Sequence, residues 1–176
     1  MNMTLKPEFG LSGSALKVIA MISMVIDHVA LYLMEHGTVL YGTMRCIGRI
    51  AFPVFAFLIA EGFIHTKSRY RYFFTLLGFA VISEIPWYLL NGADGTHNVM
   101  FTLALGVATL MVLENLLQRS IVLGFLWTLG MSGLASWLGV DYEWRGILVI
   151  VIFYLFNGHG HSFPYSKDMQ FFAHLL

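Results

Sequence analysis

The stretch Ser14–Met34, SALKVIAMISMVIDHVALYLM, decides the fold because it is long and apolar enough to cross a bilayer. Asp27 and His28 lie side by side well inside it. A charged side chain near the centre of a span costs roughly 2.5–3.5 kcal/mol on insertion scales, so such residues usually face a bundle interior or a wet cavity. The stretch therefore predicts a membrane helix that carries a functional position.

The composition of the whole chain predicts the same environment. Of the 176 residues, 58% are hydrophobic and 11% are charged, whereas a soluble domain has about 25% charged residues. Ten basic and ten acidic residues cancel, so the chain offers no basic face for nucleic acid. The expected partner is the lipid bilayer, and no nucleic-acid partner is expected.

Apolar stretches separated by polar turns predict an all-α, polytopic transmembrane helical bundle that forms a single domain over residues 1–176. The six predicted spans cover about residues 14–34, 44–65, 72–90, 98–117, 120–138 and 144–156. The tail Asp168–Leu176 predicts the start of a further helix that is too short to cross.

The distribution of charge predicts the orientation. Basic residues lie near the first span, in the turn 67–71 and at Arg119 and Lys167, whereas the opposite loops are mainly acidic. Because lysine and arginine collect on the cytoplasmic side of a membrane, we expect a cytoplasmic N-terminus. This orientation predicts two polar layers. The outer layer surrounds His28 and contains Asp27, Arg45, Arg49, Glu84, Asn98, Thr102, Asp141 and Tyr142; the inner layer surrounds His65 and contains Glu61, Lys67, Arg69 and Arg71.

His28 is the strongest candidate for chemistry. A neutral imidazole has one donor and one acceptor and titrates near working pH, which suits a general base or an acyl carrier. Because adjacent residues do not face each other on a helix, Asp27 is a poor choice to orient the ring, and Glu84 or Asp141 fits better. No metal site is predicted, since no two histidines share an i,i+4 spacing within a span.

Other interpretations of the same residues stay open. Arg45 and Arg49 can belong to ion pairs that only hold helices together, and the turn 67–71 can be no more than a topology signal. The embedded charges also suit a proton- or ion-coupled small transporter, although no inverted repeat is visible. A third class is a structural membrane subunit.

Several stretches together resemble the TraX family, over Leu11 to about Tyr154. They are LSGSALKVIAMISMVIDH, GRIAFPVFAFLIAEGFIHT, ISEIPW, NVMFTLALG and the DY of Asp141-Tyr142. That family is named for a conjugal-transfer protein that acetylates the N-terminus of F-type pilin. It resembles a wider clan of integral membrane acyltransferases in which a first-helix histidine takes part in acyl transfer. The resemblance implies a multi-pass protein of the bacterial inner membrane.

The resemblance also implies an activity, the transfer of an acetyl group from acetyl-CoA to an amine or hydroxyl acceptor such as the N-terminus of a pilin-like protein. Its candidate catalytic residues are His28, Asp27, Arg49, Glu84 and Asp141. Donor-binding candidates are Glu61, His65, Lys67, Arg69 and Arg71, and the three basic side chains of the turn 67–71 are those that suit the phosphates. Acceptor-binding candidates are Asn98, Thr102 and Tyr142. In this scheme Arg49 stabilises the oxyanion.

Overall fold

The computed structural model describes residues 12–92 and 94–157, and every regular element in them is an α-helix. The helices are α1 (Gly13–Leu33), α2 (Val39–Gly48), α3 (Ala51–His65), α4 (Arg69–Asn91), α5 (Val99–Leu117), α6 (Ile121–Trp137) and α7 (Glu143–Asn157). The all-α prediction is therefore confirmed. The predicted helix start at Asp168–Leu176 lies outside the described residues.

Among the described residues, four helical stretches are long and apolar enough to cross a membrane: α1, α2 with α3 (Val39–His65), α4 and α5. The chain is thus a polytopic membrane protein, as predicted. α6 is also apolar but has only 17 residues, which span about 26 Å at 1.5 Å per residue. That α6 and α7 cross the membrane therefore stays a prediction.

The second predicted span differs from the structure in its start and its continuity. Its helix begins at Val39 rather than Met44, because the Thr38 hydroxyl accepts a hydrogen bond from Tyr41 N (3.2 Å) and caps the first turn. The helix is then interrupted at Arg49–Ile50, where Ile50 N donates to Ile47 O in a tighter turn (3.2 Å).

The chain divides into two compact units, Met1–Leu58 and Ile59–Leu176, each described by itself. In the first unit α1 packs against α2, and the Ser23 hydroxyl donates to Ile47 O (2.5 Å). A Cβ on Gly48 would lie 2.7 Å from the Asp27 Cα, so glycine allows this close approach. The buried residues of α1 are Ala20, Ser23 and Ala30.

The second unit is organised around α5, which packs against α4, α6 and α7. The buried residues of α5 are Thr102, Leu103, Ala104, Gly106, Val107, Thr109, Leu110 and Leu113. They cover more than half of the circumference of the helix, and the remaining strip of Phe101, Leu105, Ala108 and Val112 is partly or fully exposed. α5 begins after the segment 94–98 and ends before Arg119, so it connects the two polar ends of the unit.

Candidate functional site

His28 lies half-buried on α1, and its ring is held by its own helix. Nδ1 is 2.8 Å from the Met24 carbonyl oxygen. Because a carbonyl only accepts hydrogen bonds, Nδ1 carries the hydrogen and Nε2 of the neutral ring keeps its lone pair. The Tyr32 ring lies one turn further on, 6.0 Å from the imidazole. The Met24 carbonyl thus orients the ring at Nδ1.

Asp27 serves to join two helices. Its Oδ2 accepts a hydrogen bond from the Arg45 guanidinium of α2, and the two side chains are 19% and 22% exposed. Its Oδ1 is buried and has no hydrogen-bond partner within the described residues. The ion-pair interpretation that the sequence left open for Arg45 therefore fits the structure. The catalytic role predicted for Asp27 stays a prediction.

Arg49, the residue that follows α2, differs from Arg45 in the last turn of that helix. It caps α2 at the break before α3 and is exposed. Within residues 12–92 and 94–157 its side chain has neither a hydrogen bond nor an ion pair. Arg49 therefore keeps its full set of guanidinium donors for another group, which an oxyanion-stabilising residue requires.

Glu84, on α4, forms a compact polar cluster in the second unit. Its Oε1 is 2.6 Å from His97 Nδ1. Its Oε2 accepts from the Asn98 side-chain amide (2.6 Å) and from the Asn98 backbone N–H (3.3 Å). Asn98 is buried, donates also to Ala80 O (2.9 Å), and caps α5 by accepting from Met100 N (3.0 Å). Every polar group of the Asn98 side chain is thus engaged within the protein.

The segment before α7 lies beside this cluster. Asp141 N donates to His97 O (2.9 Å), and the buried Thr102 hydroxyl donates to Asp141 O. Tyr142 and Glu143 have positive φ angles of 64° and 46°, which are uncommon for residues other than glycine. Thr102 and Asp141 are therefore brought together, and the contact joins α5 to the start of α7.

The opposite end of the second unit carries the basic turn. Arg69 is engaged there, since it pairs with Glu114 (Nη2 to Oε1, 2.9 Å) and lies 4.8 Å above the Phe63 ring. Lys67 and Arg71 are exposed and have no side-chain hydrogen bond or ion pair within the described residues. Two of the three predicted donor-binding cations thus remain open to a ligand.

Glu61 and His65 face each other along α3. His65 Nδ1 is 2.9 Å from Glu61 O and 3.1 Å from Glu61 Oε2, and both side chains are partly exposed. Within the described ranges, no group of three or more His, Cys, Asp or Glu side chains is placed to hold a metal ion. The prediction that Glu84 or Asp141 orients the His28 ring concerns residues of different units and stays a prediction.

Two site residues were missed by sequence reasoning. They are His97, which binds the carboxylate of Glu84, and Glu114, which binds Arg69. The available signal for His97 was its position directly before Asn98, the expected helix start. Nothing in the spacing of Glu114 and Arg69 indicated their contact.

The model of the family described as TraX protein matches residues 12–174. The chain belongs to the TraX family. This TraX chain is similar to the probable fimbrial assembly protein FimC, serogroup H1, of Dichelobacter nodosus, with 33% identity over 177 residues that cover 94% of the chain and 68% of the relative. It is also similar to the uncharacterized protein RP591 of Rickettsia prowazekii (strain Madrid E), with 34% identity over 142 residues that cover 80% of the chain and 52% of the relative. No solved structure matches the TraX chain.

Proposed function

We propose that this TraX-family protein is an integral membrane acetyltransferase that moves an acetyl group from acetyl-CoA to an amine or hydroxyl acceptor. The observation that carries the proposal is His28, a histidine inside an apolar helix whose Nδ1–H donates to the Met24 carbonyl. That hydrogen bond leaves Nε2 as a proton acceptor. Family membership and the fimbrial assembly relative support an acceptor of the pilin type, with its N-terminus as the acetylated group.

In the proposed reaction, His28 moves one proton. The acceptor nitrogen or oxygen attacks the thioester carbonyl carbon while Nε2 takes its proton. The carbon–sulfur bond then breaks, and the departing sulfur takes that proton from Nε2, so that coenzyme A leaves as the thiol and His28 becomes neutral again. Arg49 supplies the positive charge that stabilises the oxyanion, because its guanidinium has no acid partner within the described residues.

The same geometry also supports an acyl-carrier route. In that route Nε2 itself attacks the thioester, and the acetyl group passes from the imidazole to the acceptor. The two routes differ in whether acetyl-His28 forms when the acceptor is left out. Rapid quenching of the protein with labelled acetyl-CoA, followed by peptide mass spectrometry of α1, distinguishes them.

For the donor, we assign Lys67 and Arg71 to the phosphates of coenzyme A. Both are exposed and unpaired within the described residues, whereas Arg69 is engaged by Glu114. The proposed location is the bacterial inner membrane with a cytoplasmic N-terminus, which puts this turn on the side where acetyl-CoA is found.

The test uses the full chain purified in detergent. Coenzyme A binding is measured by calorimetry, and transfer is measured with labelled acetyl-CoA and a pilin N-terminal peptide, an amine and a hydroxyl compound as acceptors. We expect binding and transfer to at least one acceptor. Absence of both overturns the proposal, and proton or ion flux in liposomes without acetyl-CoA would favour the transporter class.

A further inference from the structure

The hydroxyl of Ser23 bonds outside its own helix. It donates to Ile47 O of α2 (2.5 Å) and lies 3.3 Å from Gly48 O, and Ser23 is only 5% exposed. A hydroxyl inside a helix commonly donates instead to the carbonyl four residues before it. Four hydroxyls in the described helices do so, those of Thr43, Thr75, Thr109 and Thr128. Ser23 therefore satisfies carbonyl groups of α2 rather than one of α1.

The two carbonyl groups belong to the last peptides before the interruption at Arg49–Ile50. Helix α2 ends at Gly48, and Ile50 N turns back to Ile47 O (3.2 Å). Where a membrane helix is interrupted, carbonyl groups turn away from their regular partners, and serine or threonine side chains commonly satisfy them. Gly48 O is part of the peptide that continues into Arg49. The Ser23 hydroxyl thus holds the backbone at the point from which Arg49 extends.

The face of α1 that carries Ser23 also fixes α2 at further points. Asp27 is four residues after Ser23 and therefore lies on the same face. Its carboxylate accepts a hydrogen bond from Arg45, and its Cα would lie 2.7 Å from a Cβ on Gly48. The last turn of α2 is therefore fixed to α1 by an ion pair, by close backbone packing and by the hydrogen bond from Ser23.

This fixed turn matters because the Arg49 side chain is not anchored by polar contacts of its own. It is exposed and has neither a hydrogen bond nor an ion pair within residues 12–92 and 94–157. Its backbone therefore sets where the guanidinium can reach. His28, the other proposed reactive group of the first unit, is five residues after Ser23 on α1, and its ring is fixed to Met24 O. One stretch of α1, residues 23–28, thus supports both groups.

We propose that Ser23 is a positioning residue, whose hydroxyl fixes the break between α2 and α3 and thereby the direction in which Arg49 extends. This inference rests on the proposed acetyltransferase function, in which Arg49 stabilises the oxyanion. Ser23 touches no substrate and exchanges no proton. Without its hydroxyl the peptide after Gly48 can rotate, since glycine permits a wide range of backbone angles. A reactive group must be held within about 0.5 Å of its productive position, so this freedom lowers the rate of transfer.

The first experiment is a double-mutant cycle of Ser23→Ala and Arg49→Gln in the purified full chain. Transfer from labelled acetyl-CoA is measured in single turnovers, and coenzyme A affinity is measured on the same preparations. We expect Ser23→Ala to lower the rate by about 10–100-fold, the scale of a misplacement of up to about 1 Å, with affinity unchanged. With Arg49→Gln already present, the same change should cost less than about twofold, because Ser23 acts through Arg49.

Three outcomes of the cycle overturn the assignment and leave the acetyltransferase function intact. They are no loss from Ser23→Ala, an equal loss with and without Arg49→Gln, and a loss that follows coenzyme A affinity. Ser132 of α6 provides the matched control, because it is 4% exposed and its hydroxyl has no hydrogen-bond partner within the described residues. Ser132→Ala should keep the full rate. Ser23→Cys, which keeps the size and a weak donor, should retain part of the rate and serves if Ser23→Ala does not fold.

A second measurement follows position 49 without the reaction. A nitroxide label on Arg49→Cys, in a chain that also carries Cys46→Ser, should become more mobile with Ser23→Ala and stay unchanged with Ser132→Ala. Equal mobility of the label with and without the Ser23 hydroxyl overturns the positioning role. If the label responds as expected but the unchanged protein transfers acetyl to no acceptor, the acetyltransferase proposal fails, and Ser23 fixes the break without a part in that reaction.

Discussion

His28 and His97 are both held at Nδ1, but by groups of different charge. The acceptor for His28 is the Met24 carbonyl (2.8 Å), and the acceptor for His97 is the Glu84 carboxylate (2.6 Å). A carbonyl orients the ring, whereas a carboxylate also stabilises the imidazolium. The comparison shows that the same ring nitrogen is fixed in two ways: the orientation of His28 depends on its own helix, whereas that of His97 depends on the packing of α4 against the segment before α5.

The largest expected effect comes from His28→Asn. The asparagine amide can still donate to the Met24 carbonyl, but the variant lacks Nε2. We expect acetyl transfer to fall by about 10²–10⁴-fold, the usual contribution of a general base. The measurement is single-turnover transfer from labelled acetyl-CoA, with coenzyme A affinity determined on the same preparation. Near-normal transfer would show that His28 is a packing residue.

The second effect concerns the acid beside His28. Arg45→Gln should lower the free energy of unfolding by about 1–3 kcal/mol, because it leaves the half-buried carboxylate of Asp27 unpaired. Thermal unfolding in detergent measures the change. The double variant Arg45→Gln/Asp27→Asn should regain part of the loss, since it removes the unpaired charge. No recovery would mean that Arg45 stabilises the unit by packing rather than by pairing.

A third effect extends the comparison to the basic end of the second unit. Lys67→Gln/Arg71→Gln should weaken coenzyme A binding about tenfold, a loss equivalent to about 1.4 kcal/mol. The weaker binding should also depend less on salt, because screened phosphate contacts have been removed. Lys17→Gln/Arg119→Gln removes the same charge from other exposed positions and is the matched control. Equal loss in both variants would indicate general attraction rather than a site.

The smallest effect is expected at Asp94, near His97. The Thr96 hydroxyl (2.7 Å) and backbone N–H (2.9 Å) donate to Asp94 Oδ1 and hold the pKa of this carboxyl below its usual value. A depressed pKa stabilises the folded state above the ordinary pKa of aspartate, and that stability is lost as the pH falls through the lower, folded value. We therefore expect a slight drop in melting temperature below about pH 4 that is reduced in Asp94→Ala. An identical drop in the variant would assign it to other carboxyl groups.

The sequence was sufficient to predict the helices whose ends carry local signals. The predicted spans begin at about residues 14 and 98, and the side chains of Ser12 and Asn98 cap α1 and α5 at these places. Span length and hydropathy then predicted how far each helix extends. The interruption at Arg49–Ile50 was not predicted, although local signals mark it: Gly48 ends α2, and Pro53 in the first turn of α3 has no N–H to donate to Arg49 O.

For the candidate site, the sequence proposed which polar residues to consider but not which of them contact each other. Depth along a helix predicted that Asp27, Glu84 and Arg45 belong to one polar layer, and this layer stays a prediction. It did not indicate partners, because pairing depends on how each helix is rotated against its neighbour. His97 and Glu84 are in contact because Asn98 and Trp87 hold the segment before α5 against α4. Such contacts are tertiary and leave no periodic signal in the chain.

The contact between Asp27 and Arg45 has a consequence for how the protein is made. The carboxylate is synthesised 18 residues before its guanidinium partner. If α1 left the translocon alone, it would carry an uncompensated acid into lipid at a cost of about 2.5–3.5 kcal/mol. Release of α1 together with α2, as a hairpin whose charges already neutralise each other, avoids that cost. The order of synthesis therefore favours a delay at the lateral gate until the second helix has emerged.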